Sequence, residues 1–273
     1  MESLIPAWLH DGWPQFGASY IAAWALGAAL PLAGIPVVAR EQALLGVGLV
    51  QVGACGVALA LAWAWPFPAA WAFLAIGAAT LLAQRPPPRE RPEAVAAWMI
   101  LAGSAFTVLA LARHPQGAEQ MAQLQASSVL GATWTQAAVA IGLAVATLCA
   151  VAVAGRRLLL AAWEPATART QGTAPTLLTI SAAMGLALLL AASLKVTGAL
   201  FTTALLVLPV LISRRLLHRL APLPWLAVLL AEGAITAGFA LSWSWDLPPA
   251  QVAVAILGLM LAASWAWPPS WRA

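Results

Sequence analysis

Apolar runs of about twenty residues follow one another along nearly the whole chain, separated only by short prolines-and-charge breaks. A run of that length can cross roughly 30 Å of hydrocarbon as a helix, and a series of them leaves few alternatives. Charged residues make up only 8% of the chain and hydrophobic ones 63%. A soluble domain carries about 25% charged residues, so this chain cannot cover a water-facing surface. The fold class that follows is an all-α integral membrane protein, a polytopic helical bundle with about 8–9 transmembrane helices. Its length leaves room for a single transmembrane domain, 1–273, and no sizeable soluble one.

Between breakers the runs fall near 15–38, 43–65, 68–84, 94–112, 135–155, 175–194, 198–213, 221–243 and 249–267. The run from 198 is short and follows directly on the one before it, which predicts either two spans or a broken, re-entrant pair. Basic residues orient the series, because cytoplasmic loops collect Lys and Arg. Arg40 follows the first run, Arg85, Arg89 and Arg91 the third, Arg156, Arg157 and Arg169 the fifth, and Arg214, Arg215 and Arg219 the seventh. Every second loop is therefore basic. Nine crossings, with the N-terminus outside and the C-terminus inside, fit that pattern. Arg85–Glu93 reads as the one linker-like stretch.

The formal charge of +4 has this topological account, and its basic residues, twelve Arg and one Lys, form no stripe suited to nucleic acid. Cys55 and Cys149 lie inside apolar runs and predict neither a disulfide framework nor a metal site. Residues 1–15 lack a basic n-region, so no cleaved signal peptide is expected. Several of the fifteen tryptophans, among them Trp63, Trp65, Trp243, Trp245, Trp265 and Trp267, sit at run ends where indoles anchor at the headgroup level. His10, His114 and His218 fall at run edges or loops without a ligand-spaced partner. The chain has no Walker lysine loop, nucleophile elbow or HExxH, so an enzyme is not indicated and any ATP must be hydrolysed by another subunit.

The most distinctive stretch is 194–210, LKVTGALFTTALLVLPV, followed by Arg214–Arg215 and, farther on, Asp246–Leu247–Pro248–Pro249. Val37–Val38–Ala39–Arg40 with Leu44–Leu45–Gly46, Gly117–Ala118–Glu119 with Leu130–Gly131, and Trp163–Glu164–Pro165 with Ala168–Arg169 and Gly172 precede it in order. Together these pieces resemble the permease subunit of the ABC importers for zinc, manganese or iron. The resemblance runs from about Val37 to the last span. It implies a homodimer in the inner (plasma) membrane with two ABC ATPase subunits inside and an extracytoplasmic substrate-binding protein outside. It also implies that Trp163, Glu164, Pro165, Ala168, Arg169 and Gly172 form the loop that couples to the ATPase, and that the segment around Glu119 meets the binding protein. No cofactor is expected in this chain.

In that family the second helix carries an Asp and a His four residues apart, on one helix face. Here those positions are Val47 and Gln51. Valine has no lone pair and a neutral amide is a poor zinc ligand, so no metal ligand carries over. The departure keeps open a permease for a non-metal or chelated-metal solute. Gly46, Gly48, Gly53, Ala54 and Gly56 crowd the same helix, as in close helix packing. Glu232 lies well inside its run, and a carboxylate at that depth usually faces a cavity or a partner. Gln51, Glu232 and Lys195 are therefore the candidate translocation residues. Lys195 can equally snorkel as an anchor, and Thr202 and Thr203 can bond back to carbonyls near Pro209. A haem-handling membrane protein is a further alternative, faintly suggested by Trp243–Ser244–Trp245–Asp246, but no pair of histidines flanks that loop.

Overall fold

Each of the nine predicted runs falls on a helix. The computed structural model describes residues 7–39, 42–84, 91–112, 114–126, 129–163, 175–217 and 221–266. These contain nine α-helices and one 3-10 turn, and no strand is found among them. They are α1 (Ala7–Ala39), α2 (Ala43–Ala62), α3 (Pro68–Gln84), α4 (Pro92–Leu111), α5 (Gly117–Ala126), the turn Val129–Gly131, α6 (Trp134–Trp163), α7 (Pro175–Leu216), α8 (Leu223–Trp245) and α9 (Pro249–Ala266). A helix satisfies its backbone polar groups within itself, which hydrocarbon demands. Seven of the described helices are long and apolar enough to cross a membrane, and α3 is a shorter apolar helix. The polar stretch between α4 and α6, expected as an outer segment, is itself helical in α5, whose Ala, Glu, Gln, Met and Leu residues are good helix formers.

The runs 175–194 and 198–213 are the two arms of one element. At 42 residues α7 would reach about 63 Å if straight, twice the hydrocarbon thickness. Instead Gly198 takes φ 73° and ψ 176°, a region open essentially to glycine alone, and the helix breaks there. The hydroxyls of Ser193 and Thr202 meet at 2.8 Å although nine residues separate them. On an unbroken helix they would stand about 13 Å apart along the axis. The chain doubles back at Gly198.

Contacts fix the direction of the other helices. Gly12 and Gly27 of α1 lie beside Trp243 and Ile235 of α8, so these two run antiparallel. Gly48 of α2 lies against Met99, and Gly103 of α4 against the backbone of Gln51, so α2 and α4 run parallel. The end of α7 meets the ends of α1 and α9: Arg214 Nη1 donates to Val38 O at 2.6 Å and Arg215 Nε to Ser264 O at 2.8 Å. With α1 to α4 and α6 alternating, α7 starts and finishes at this same basic end, as a hairpin must. Counting two passes for α7 and one for the shorter α3, the described helices traverse the bundle nine times, which puts the N-terminal end of α1 and the C-terminal end of α9 at opposite faces.

The α1 and α7 helices form the centre, with Leu26, Leu30, Leu190, Leu194, Leu205 and Leu206 fully buried. Glycines let α2 sit close to α4, α3 and α7, as its small-residue pattern predicts. At the α2–α3 turn Ala64 and Phe67 adopt left-handed φ values of 51° and 57°. That turn holds Trp63, Trp65 and Trp71 in a stack, with centroids 5.4 Å and 4.5 Å apart, and leaves Phe67 exposed.

Candidate functional site

Gln51 lies near the middle of α2, one turn beyond Val47, on the helix that packs most extensively against α4. The absence of a side chain at Gly103 lets α4 approach the Gln51 backbone: a Cβ there would stand 2.9 Å from the Gln51 carbonyl carbon. Gln51 Oε1 is buried and accepts no hydrogen bond. That oxygen therefore makes no hydrogen bond across the contact between α2 and α4. A buried amide oxygen without a donor costs about 1–3 kcal/mol, so this position favours any ligand or helix shift that brings one. No group of three or more His, Cys, Asp or Glu side chains gathers among the described residues.

Glu232 sits on a different seam. It is half-buried on α8, and its Oε1 lies where a Cβ on Gly27 of α1 would come within 2.9 Å. The bare Cα of Gly27 is what admits the carboxylate to the α1 surface. One turn away, Trp24 Nε1 donates to Thr236 Oγ1 at 3.3 Å, which closes the same seam with a polar contact. Among the described residues Glu232 has no hydrogen bond or ion pair, an expensive condition for a carboxylate at this depth.

Lys195 is exposed, three residues before the break in α7. Behind it the hairpin encloses Ser193, Thr197 and Thr202, each no more than 1% exposed. Their hydroxyls lie 2.8–3.2 Å from one another, and Thr197 donates to Ser193 O at 3.0 Å. With one proton each, the three oxygens satisfy one another and that carbonyl. Thr203 bonds back to the carbonyls of Ala199 and Leu200 as anticipated. Thr202 does not; its hydroxyl joins the two arms instead, and the backbone next to Pro209 is served by Ser213, donating to Pro209 O at 2.8 Å.

The three translocation candidates thus stand apart: Gln51 on the α2–α4 seam, Glu232 on the α1–α8 seam and Lys195 on an exposed face. No hydrogen bond or ion pair among the described residues joins any two of them. Trp163 is the last residue of α6. Glu164, Pro165, Ala168, Arg169 and Gly172 lie outside the described residues, in the connection from α6 to α7. The residues that sequence reasoning passed over are Trp24, Gly27, Ser193 and Thr197. Only Ser193 and Thr197 carried a local signal, hydroxyls four residues apart just before a glycine.

Comparison with known proteins gives a consistent result. The model of the ABC 3 transport family matches residues 16–267. No curated protein matches the chain. Among solved structures, PsaBC from Streptococcus pneumoniae in complex with Fab superposes with a TM-score of 0.82 at 16% identity, over 97% of this chain and 96% of that one. A metal-chelate type ABC transporter in an inward-facing conformation superposes with a TM-score of 0.71 at 15% identity, over 95% and 90%. At such identities the likeness is one of fold.

Proposed function

The chain belongs to the ABC 3 transport family, as a multi-pass transmembrane permease subunit of an ABC transporter, and from that premise we propose that it imports a divalent metal ion. The family match over nearly the whole chain carries the reading. The sequence resemblance to zinc, manganese and iron permeases supplies the substrate class. Two copies form the pathway, each joined at the basic end to a separate ATPase subunit that hydrolyses the ATP. An extracytoplasmic binding protein delivers the metal at the opposite face. The basic end, with Arg91, Arg157, Arg214 and Arg215, lies in the cytoplasm, and the cell's inner membrane is the location. Gln51, Glu232 and Lys195 serve the pathway, and the loop of Trp163, Glu164, Pro165, Ala168, Arg169 and Gly172 couples to the ATPase. Both α6 and α7 reach the basic end where that loop joins them, so a short element there can pass on a rigid-body shift.

A second reading is favoured by one observation. The α2 face carries Val47 and Gln51, which offer no thiolate, imidazole or carboxylate to a bare ion. A chelated metal brings its own ligands and needs only hydrogen bonds and packing from the path. Cellular zinc, manganese and iron measured by mass spectrometry, with ATPase and binding protein co-expressed, separates the two. The native chain should accumulate one of these metals, and a Glu164→Arg, Arg169→Glu variant at matched abundance should lose at least fivefold of it. No accumulation with an intact complex would sink the free-ion reading and leave the chelate as the substrate to supply.

A further inference from the structure

The arginine pair at the end of α7 does more than mark the basic side. Val38 belongs to the last turn of α1, and Ser264 and Trp265 to the last turn of α9. The final carbonyls of a helix have no partner within it, and they carry the negative end of its dipole. Arg214 supplies a donor to Val38 O, and Arg215 supplies donors to Ser264 O at 2.8 Å and Trp265 O at 3.4 Å. Two adjacent guanidiniums on one helix thus cap two other helices that are far apart in sequence. At the other end of the same hairpin, the Ser193–Thr197–Thr202 hydroxyls fasten its first arm to its second.

We propose that the α7 hairpin is a relay: a displacement entering its first arm from the α6–α7 connection crosses the hydroxyl cluster, runs down the second arm, and is handed to α1 and α9 through Arg214 and Arg215. The direction of that traffic rests on the reading above, in which the connection meets the ATPase; the tie itself does not. The geometry supports a rigid transfer. The hydroxyls are fully enclosed, so water cannot substitute for their mutual bonds, and both arginine contacts are charge-assisted and close. Through α1 the movement reaches the Glu232 seam, because Gly27 and Trp24 lie on the helix that Arg214 holds.

Hydrogen–deuterium exchange of the protein in nanodiscs tests the tie directly, comparing the native chain with the double variant Arg214→Gln, Arg215→Gln. Exchange should rise at least fivefold in the last turns of both α1 and α9, and the variant Arg214→Lys, Arg215→Lys, which keeps the charge but concentrates its donors on one nitrogen, should fall between. Native-like exchange at both ends in the glutamine variant would overturn the proposal. The relay is then read in the assembled complex, as zinc, manganese or iron transported per ATP hydrolysed. That ratio should drop at least fivefold in the glutamine variant while the ATPase rate stays within twofold. Faster exchange with an unchanged ratio would reduce the arginines to local caps and overturn the relay. Failure of the native complex to move any of the three metals would count against the substrate reading alone, since exchange still decides the tie.

Discussion

The α6 and α7 helices are the two longest apart from α1, and both are strongly apolar, yet they occupy opposite environments. The most apolar stretch of α6 is 17% buried, whereas that of α7 is 72% buried. The outward residues of α6 include Val139, Ile141, Val145, Leu148 and Val153. The interior of α7 holds Ser193, Thr197, Thr202 and Ser213 together with its leucines. In water the assignment would be the reverse. In a bilayer the lipid tails are as apolar as leucine, so hydropathy drives a helix into the membrane without deciding which face it buries. Hydroxyls, glycines and a bent backbone make that decision here.

The contrast can be broken hardest at the hairpin. Gly198→Leu forces a side chain, at a buried position, into a backbone region that costs about 1–3 kcal/mol. We expect the purified protein in detergent to lose its cooperative thermal transition or to melt far lower; a native melting curve would mean that the break does not need glycine. The hydroxyl cluster should respond less. Thr202→Val and Ser193→Ala should each cost about 1 kcal/mol, with a coupling of roughly 0.6 kcal/mol between them in a double-mutant cycle, as for other hydroxyl contacts within membranes. Strict additivity would show that the cluster does not act as a unit. The smallest effect should come from α6. Because lipid replaces the lost contact, Leu148→Ala should change unfolding by no more than about 0.5 kcal/mol, against the 2–5 kcal/mol usual for a leucine in a soluble core. A large loss would reveal that this face is covered by protein.

Much of the fold was legible because a membrane helix writes its length into the sequence as uninterrupted hydropathy. All nine runs fall on helices, and the abrupt succession of the sixth and seventh left two spans or a broken pair open until the break at Gly198 made them two arms of one element. The helical character of α5 lay in a polar stretch where hydropathy has nothing to say. The site was less legible. Glu232 stands out in any apolar run, but its seat depends on Gly27, some 200 residues earlier, and no local pattern links the two. The targets of Arg214 and Arg215 are backbone carbonyls, which every residue has, so no residue type could have betrayed them. Gln51 was singled out by its place in a family motif, and its unpartnered oxygen is a matter of packing alone. The proposed coupling loop rests on resemblance alone.

One dimension of the bundle acts on the membrane itself. The seventeen residues of α3 span about 25 Å, a few ångströms less than typical hydrocarbon. Its N-terminal end carries the packed indoles of Trp63, Trp65 and Trp71, side chains that favour the headgroup level and resist being drawn inward. Leu74, Leu81 and Leu82 face outward along it. A hydrophobic segment of that length is matched best by thinner hydrocarbon, so shorter acyl chains beside α3 are the expected accommodation, to be checked by comparing stability in bilayers of different thickness.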